Sequence, residues 1–241
     1  MDLTEQIVRG KEDLDRVYEA GKNAGGYGDG FEAGQQEAYD RFWDDLQVNG
    51  TRTDYEYAFT NTAFEYLRPK YKVIPTTRTV YMFKNNKKLK SLEKQYFDLS
   101  NCTAQQTLNN SAHYYTFADC TSIEIIEDIG LPAGGYYNTF RGCQNLHTIE
   151  KIRVLPDTLF NSASFGSCKE LQNITFEGTI GQNGLIVSES KKLTHDSLMS
   201  IINALETKTS SGFTVTLGST NLAKLTDAEK AIATQKGWTL A

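Results

Sequence analysis

The chain has 241 residues and a formal net charge of −5 at pH 7, enough for one or two ordinary domains, since compact domains run about 100–200 residues. Its hydrophobic share of 39%, aromatic share of 11% and charged share of 23% exclude wholesale disorder, and no run approaches the roughly 18–20 apolar residues that span a bilayer. A sequence pI near 5.3 argues against nucleic acid as the main partner.

The charge is uneven. Residues 1–45 hold twelve acids and five bases, net −7, which leaves eighteen acids and twenty bases, net +2, for residues 46–241. The start, Met1-Asp2-Leu3-Thr4-Glu5, has neither a basic stretch nor an apolar run, so a standard export signal is not expected. Leu3, Ile7, Leu14 and Val17 follow a heptad seam, with Gly10 in one core place. So short a helix is marginal alone in water and calls for other copies or a partner. Gly26, Gly30, Gly34 and Ala38 then fall at steps of four, read either as a small-residue stripe on a packed helix or as a flexible hinge. Gly26-x-Gly28 lacks a third Gly at position 31, where Phe31 stands, so no dinucleotide fingerprint is present.

Tyr39, Phe42, Trp43 and Leu46 make an amphipathic helical stripe. Tyr55, Tyr57 and Phe59 alternate with polar or small residues and predict a strand. Such tyrosines either stack on sugars or plug one end of the core. A basic cluster follows at Lys84, Lys87, Lys88, Lys90 and Lys94, suited either to an anionic surface or to a solvated sheet edge.

The middle is organised by a repeat. Phe117-x-x-Cys120-x-x-Ile123-x-x-Ile126-x-x-Ile129 is followed by Phe140-x-x-Cys143-x-x-Leu146-x-x-Ile149-x-x-Ile152, then Phe165-x-x-Cys168-x-x-Leu171-x-x-Ile174. A divergent earlier copy reads Phe83-x-x-Asn86-x-x-Leu89-x-x-Leu92, with Asn in the Cys place. One such unit cannot bury its apolar face alone and must stack on its neighbours, so the period predicts a short solenoid with strands near 123–126, 146–149 and 171–174. The 34 residues from Phe83 to Phe117 make 93–114 an insertion or an irregular coil. At the C-terminus, Leu198, Ile201, Ile202 and Leu205 form the apolar face of a helix opening at Thr194 or Asp196. A strand over 213–217 and a helix opening with the Thr226-x-x-Glu229 capping box follow.

Reactive chemistry is sparse. The four Cys, at 102, 120, 143 and 168, make no C-x-x-C pair, and His occurs only at 113, 147 and 195, so no zinc set is spelled out. The histidines read as surface or helix-capping residues, and the repeat Cys as buried and unsuited to nucleophilic work. Carboxylates such as Asp44, Asp45, Glu124, Glu127 and Asp128 read as generic members of solvated faces. No nucleophile elbow or phosphate loop occurs. No catalytic, cofactor-binding or metal residue is therefore assigned, and the chain is read as a non-enzyme.

The repeat resembles the BspA-like class of leucine-rich repeats, whose hallmark is a Phe-x-x-Cys-x-x-Leu-x-x-Ile unit of about 23 residues. Three successive copies across 115–178 carry the resemblance. It implies buried Phe and Cys, strands lining one face, and a surface or adhesive role. The tail from Asn221 to Leu240 and the stretch Glu37–Phe59 are similar to the ends of leucine-rich-repeat proteins encoded by bacteriophages and prophages of Firmicutes. The resemblance implies a virion tail, baseplate or fibre component, synthesised in the host cytoplasm, with other tail proteins as partners and a homo-oligomer, trimer favoured as in such fibres.

The expected architecture is α+β: an N-terminal helical attachment or oligomerisation segment with a Gly-rich hinge (1–48), an N-terminal cap (49–80), leucine-rich repeats (81–180), and a C-terminal repeat with an α/β cap (181–241). Leu3, Ile7, Leu14, Val17, Gly26, Gly30 and Gly34 are the attachment candidates. Recognition of a host surface protein or glycan by the strand face is the leading expectation. A purely structural tail or decoration protein and a bacterial surface adhesin are the alternatives. Nucleic acid binding, membrane insertion and cofactors are not expected.

Overall fold

The computed structural model describes residues 59–61, 64–67, 72–75, 78–102, 113–131 and 134–241. All of these but Lys72 belong to one compact unit. The heptad seam, the glycine ladder, the aromatic stripe at 39–46, and Tyr55 with Tyr57 lie outside the described residues.

Four strands, β1 (Ser91–Leu92), β2 (Ile125–Ile126), β3 (Thr148–Val154) and β4 (Asn173–Gly178), form a parallel sheet in the order of the sequence. Ser91 pairs with Ile125, Ile125 with Thr148, and Thr148 with Asn173. The steps are 34, 23 and 25 residues, the same as those from Phe83 to Phe117, Phe140 and Phe165. Each pass of the chain thus lays one strand beside the last. Single bridges extend the pattern outward, Tyr66 to Ser91 on one side and Ile180 to Leu205 on the other.

The strands begin two residues later than the apolar pattern predicts, because Ile123, Leu146 and Leu171 close the corner instead. Their N–H groups donate to the carbonyls of Cys120, Cys143 and Cys168, at 3.2, 3.2 and 3.3 Å. The Cys N–H groups in turn donate to the carbonyls of Phe117, Phe140 and Phe165, each at 3.1–3.2 Å. Two successive three-residue turns therefore convert each Phe into the start of a strand.

Inside the corner, the phenyl rings of Phe59, Phe83, Phe117, Phe140 and Phe165 stack in one column, with centroids 5.3–5.5 Å apart and planes within 18°. All five are buried. Phe59 is thus a ring of the column, in a turn rather than in the predicted strand. A second column runs beside it: Tyr136 lies between His113 and Phe160, at 5.3 and 5.4 Å. His113 is fully buried, with Nδ1 at 2.8 Å from the Thr79 hydroxyl, so the surface reading of this residue is corrected. It occupies an aromatic place in the core, four residues before Phe117.

The corner also requires left-handed backbone. Two residues after each stacked Phe stand Asn61, Asn85, Asp119, Gly142 and Ser167, all with φ between 58° and 78°, a region that Asn, Asp and Gly tolerate best. A Cβ on Gly142 would also fall 2.5 Å from Asp119 Oδ1.

Beyond β4 the pattern changes. Helix α1 (His195–Ala204), capped by Thr194, packs against β4 and buries Leu198, Ile201 and Ile202. Strand β5 (Phe213–Val215) pairs in parallel with β6 (Trp238–Leu240). Between them lie the short helix α2 (Ser219–Leu222) and α3 (Asp227–Gln235), which opens with the Thr226/Glu229 capping box and buries Ala233. The Phe and Cys places of the repeat are taken here by Val187 and Ser190, both buried.

Phe140 lies between two rings, so Phe140→Ala leaves a cavity inside the column. Unfolding in urea is expected to show a loss of about 3–5 kcal/mol, and Phe140→Leu a clearly smaller loss.

Candidate functional site

No catalytic constellation was assigned, so the candidate site is the surface that the sheet leaves outside. Alternation along the strands sends Leu92, Ile126, Ile149 and Ile174 inward, each at most 2% exposed. The neighbouring positions face out: Tyr66, Ser91, Ile125, Thr148 and Asn173 form one row across the sheet. Ile125 and Tyr66 are 42% and 46% exposed, so the row carries apolar area at its first passes and hydroxyl or amide groups further on.

Just past the ends of β1 and β2, Glu93 and Glu127 hold the places in their passes that Glu150 holds in β3. The carboxylate of Glu127 accepts from the backbone N–H of Lys94 at 2.8 Å, and that of Glu150 from the N–H of Asp128 at 2.9 Å. Glu93 accepts from the Gln95 amide at 2.7 Å. Each bond orients a carboxylate. Their equivalence is hidden in the sequence, where the three residues look unrelated. Applying the repeat steps of 34 and 23 to Glu93 gives Glu127 and Glu150.

At the far end of the face, past a register shift between Ile149 and Ile152, four charges interlock. The guanidinium of Arg153 grips Asp128 through two nitrogens at 2.8 and 3.2 Å. Lys151 bridges Asp128 and Glu177 at 3.4 and 3.1 Å. Partial burial pushes the Asp128 carboxyl up, but the hydrogen bonds and charge of Arg153, with the Gly130 N–H and Lys151, outweigh it and hold the group below its ordinary range.

The basic cluster does not act as one patch. Lys84 lies over the rings of Tyr81 and Tyr115 at 4.8 and 5.0 Å, rings that also stack on each other at 5.4 Å. Lys90 lies 3.8 Å from Glu124, while Lys87, Lys88 and Lys94 are exposed. His147 is half-buried at a corner, and His195 Nε2 stands 2.8 Å from Glu229 Oε1.

Every repeat-core residue named from the sequence is buried: Phe83, Leu89, Leu92, Phe117, Cys120, Ile123, Ile126, Phe140, Cys143, Leu146, Ile149, Phe165, Cys168, Leu171 and Ile174. The thiols have structural partners. Cys120, Cys143 and Cys168 donate to the carbonyls of Phe83, Phe117 and Phe140 at 2.9, 3.0 and 3.0 Å, and Asn86 makes the equivalent bond to Phe59 at 2.6 Å. Burial pushes the Cys120 thiol up to about 12 and raises Cys143 and Cys168 as well. A thiol so placed is a poor nucleophile. The attachment candidates Leu3, Ile7, Leu14, Val17, Gly26, Gly30 and Gly34 lie outside the described residues.

Among the described residues no cluster of His, Cys, Asp and Glu could hold a metal ion, and no helix is long and apolar enough to cross a membrane. Comparison with known protein families, with curated proteins and with solved structures found no match.

The raised thiols make an alkaline prediction. A free thiol ionises near about 8.5, whereas the folded Cys120 holds its proton to about 12. Stabilisation from this difference is complete below the unfolded value and is lost as pH rises through the interval toward the folded one, by up to about 1.4 kcal/mol per pH unit for each such thiol. Urea unfolding between about pH 8 and 10 is expected to show falling stability, with a shallower fall once Cys120, Cys143 and Cys168 are all replaced by Ser.

Proposed function

We propose that the protein is a non-enzymatic virion component, of tail, baseplate or fibre, in which a BspA-like leucine-rich-repeat solenoid presents its sheet face to a host surface protein or glycan. The observation that carries the reading is the contrast between the two sides of the sheet. The inner side is packed into columns of rings, while the outer side keeps Ile125 and Tyr66 more than 40% exposed beside oriented carboxylates. A rigid parallel face with exposed apolar area is what a recognition surface needs and what a bare scaffold has no use for. The setting in a phage tail rests on the resemblance of the repeat, the tail and the 37–59 stretch to phage-encoded proteins. The residues before position 49 serve attachment and oligomerisation in this reading, with other tail proteins as partners.

Purified full-length protein is expected to bind intact Firmicutes cells or their isolated walls, and Ile125→Asp is expected to weaken that binding by about tenfold or more. Sedimentation of labelled protein with the cells measures it. Tight incorporation into tails without any binding to cells or walls would sink the recognition reading and leave the architectural one.

A further inference from the structure

The corner of the early passes carries a feature that packing does not ask for. Two residues before each of three stacked Phe the backbone is left-handed at Tyr81, Tyr115 and Asn138, with φ of 55°, 55° and 53°. Asn suits that region, whereas a bulky ring is strained there, and strain of this kind gathers where ligands are held. Tyr81 and Tyr115 nevertheless occupy it on successive passes, stacked at 5.4 Å, and Tyr114 meets the two rings edge-on at 5.6 and 4.5 Å. Partial burial holds the Tyr114 phenol above its ordinary range, while the Tyr115 hydroxyl adds to the shift and that of Tyr81 opposes it, so the three hydroxyls lie near one another. Lys84 stands 4.8 and 5.0 Å from the centres of the Tyr81 and Tyr115 rings. Lys90, Lys151, Lys192, Lys208 and Lys230 each meet a carboxylate, but among the described residues none lies within ion-pair reach of Lys84. All four residues are half-buried, so an ammonium without a counter-charge shares an aromatic-lined place with three phenol groups.

We propose that Tyr81, Tyr114, Tyr115 and Lys84 form a site for an acidic sugar, one that carries a carboxylate or phosphate group. The ammonium and the phenol O–H groups donate to the oxyanion, and the aromatic edges cover the C–H groups of the sugar beside it. Aromatic walls with a few convergent polar groups are the usual make-up of a small-ligand site. Asn in all three left-handed places would suit the backbone better, but it would supply neither the rings nor the hydroxyls. The site lies at the corner, ahead of the strand in each pass, so it does not rest on the reading of the sheet face as a recognition surface.

The test titrates the full-length protein by calorimetry with trigalacturonate and with glucose 6-phosphate, which carry the carboxylate and phosphate forms of such a ligand. Neutral trigalactose, inorganic phosphate and a hexaglutamate peptide are the counter-probes. At least one acidic sugar is expected to bind about tenfold or more tighter than every counter-probe. Lys84→Gln is expected to weaken that binding by about tenfold. Tyr114→Phe with Tyr115→Phe keeps the rings and removes two hydroxyls, and this pair is expected to weaken binding to a similar degree with the melting temperature unchanged. Lys87→Gln removes the same charge from an exposed place three residues on and is expected to leave binding as it was. Binding of neither acidic sugar, equal binding of any counter-probe, or equal loss in Lys84→Gln and Lys87→Gln would each overturn the inference. Full binding by the Phe pair with a lowered melting temperature would assign the tyrosines to packing alone and overturn it as well. Sugar binding that survives in Lys84→Gln but not in Ile125→Asp would overturn the corner site while leaving the recognition reading of the sheet face intact.

Discussion

A single contact sets the geometry of the rest: a side-chain donor that reaches back to the inward-turned carbonyl of the preceding Phe. At Phe83, Phe117 and Phe140 this carbonyl already accepts the N–H three residues on, at 3.1–3.3 Å, and the side-chain donor of the next pass takes its second lone pair in the buried interior. Asn86, Cys120, Cys143 and Cys168 supply the donor, always from the next pass and always three residues after its own Phe. That requirement fixes the height of one pass on another. It explains why the distance from Phe to the paired strand residue is eight in four successive passes, 83 to 91, 117 to 125, 140 to 148 and 165 to 173. Among these four passes all variation in repeat length falls after the strand. The aligned phenyl rings follow from the same constraint, since residues held at one height on successive passes have only one another to pack against.

This explains what could be read in the sequence. The corner leaves a signature at fixed spacing, so Phe, Cys and the following Leu or Ile were legible, and so were the capping box at Thr226 and the helix face at Leu198, Ile201 and Ile202. Phe59 was not, because its pass is one residue shorter: Tyr66, seven residues on, is the partner of Ser91. A second ladder was also missed. The hydroxyls of Thr116 and Thr139 donate to the buried carbonyls of Thr79 and His113 at 2.8 and 2.6 Å. Its trace was the threonine just before Phe in Thr116-Phe117 and Thr139-Phe140, a signal easily lost among ordinary surface threonines. His113 misled for a related reason, since polarity suggested solvent where the column offered a hydroxyl partner and a tyrosine face. The outer face was least legible of all. Its residues are not packed into the core, so only the pairing register brings Tyr66, Ser91, Ile125, Thr148 and Asn173 into one row.

The inner columns and the outer face therefore obey different rules. An interior place accepts only a residue that fills the column or closes a carbonyl, and buried hydroxyls, thiols and amides meet the second need without charge. Outside, the requirement is only that the strand continue, which Ser91, Ile125, Thr148 and Asn173 all satisfy.

The end of the sheet shows how that freedom is limited. A parallel sheet must stop somewhere, and its last strand presents N–H groups that invite another chain. Here β4 is met by a helix instead of a fifth strand. The hydroxyls of Ser197 and Ser200, one turn apart on α1, accept the N–H groups of Ile174 and Phe176 at 3.0 and 2.8 Å. The Ser197 hydroxyl in turn donates to the Gln172 carbonyl at 3.0 Å. Ser spaced by three on a helix matches N–H groups spaced by two on a strand, because both repeats bring successive groups to one side. At the last turn of the helix, where carbonyls lack helical partners, the Lys236 ammonium donates to those of Ile202 and Asn203 at 3.2 and 2.7 Å, the first of which also accepts the Leu205 N–H at 3.3 Å. Partial burial there pushes the lysine pKa down, a penalty that the two carbonyls and the negative end of the helix offset. Closing one backbone edge thus opens another, and the succession ends only where a flexible cation reaches groups that no further strand or helix is needed to pair.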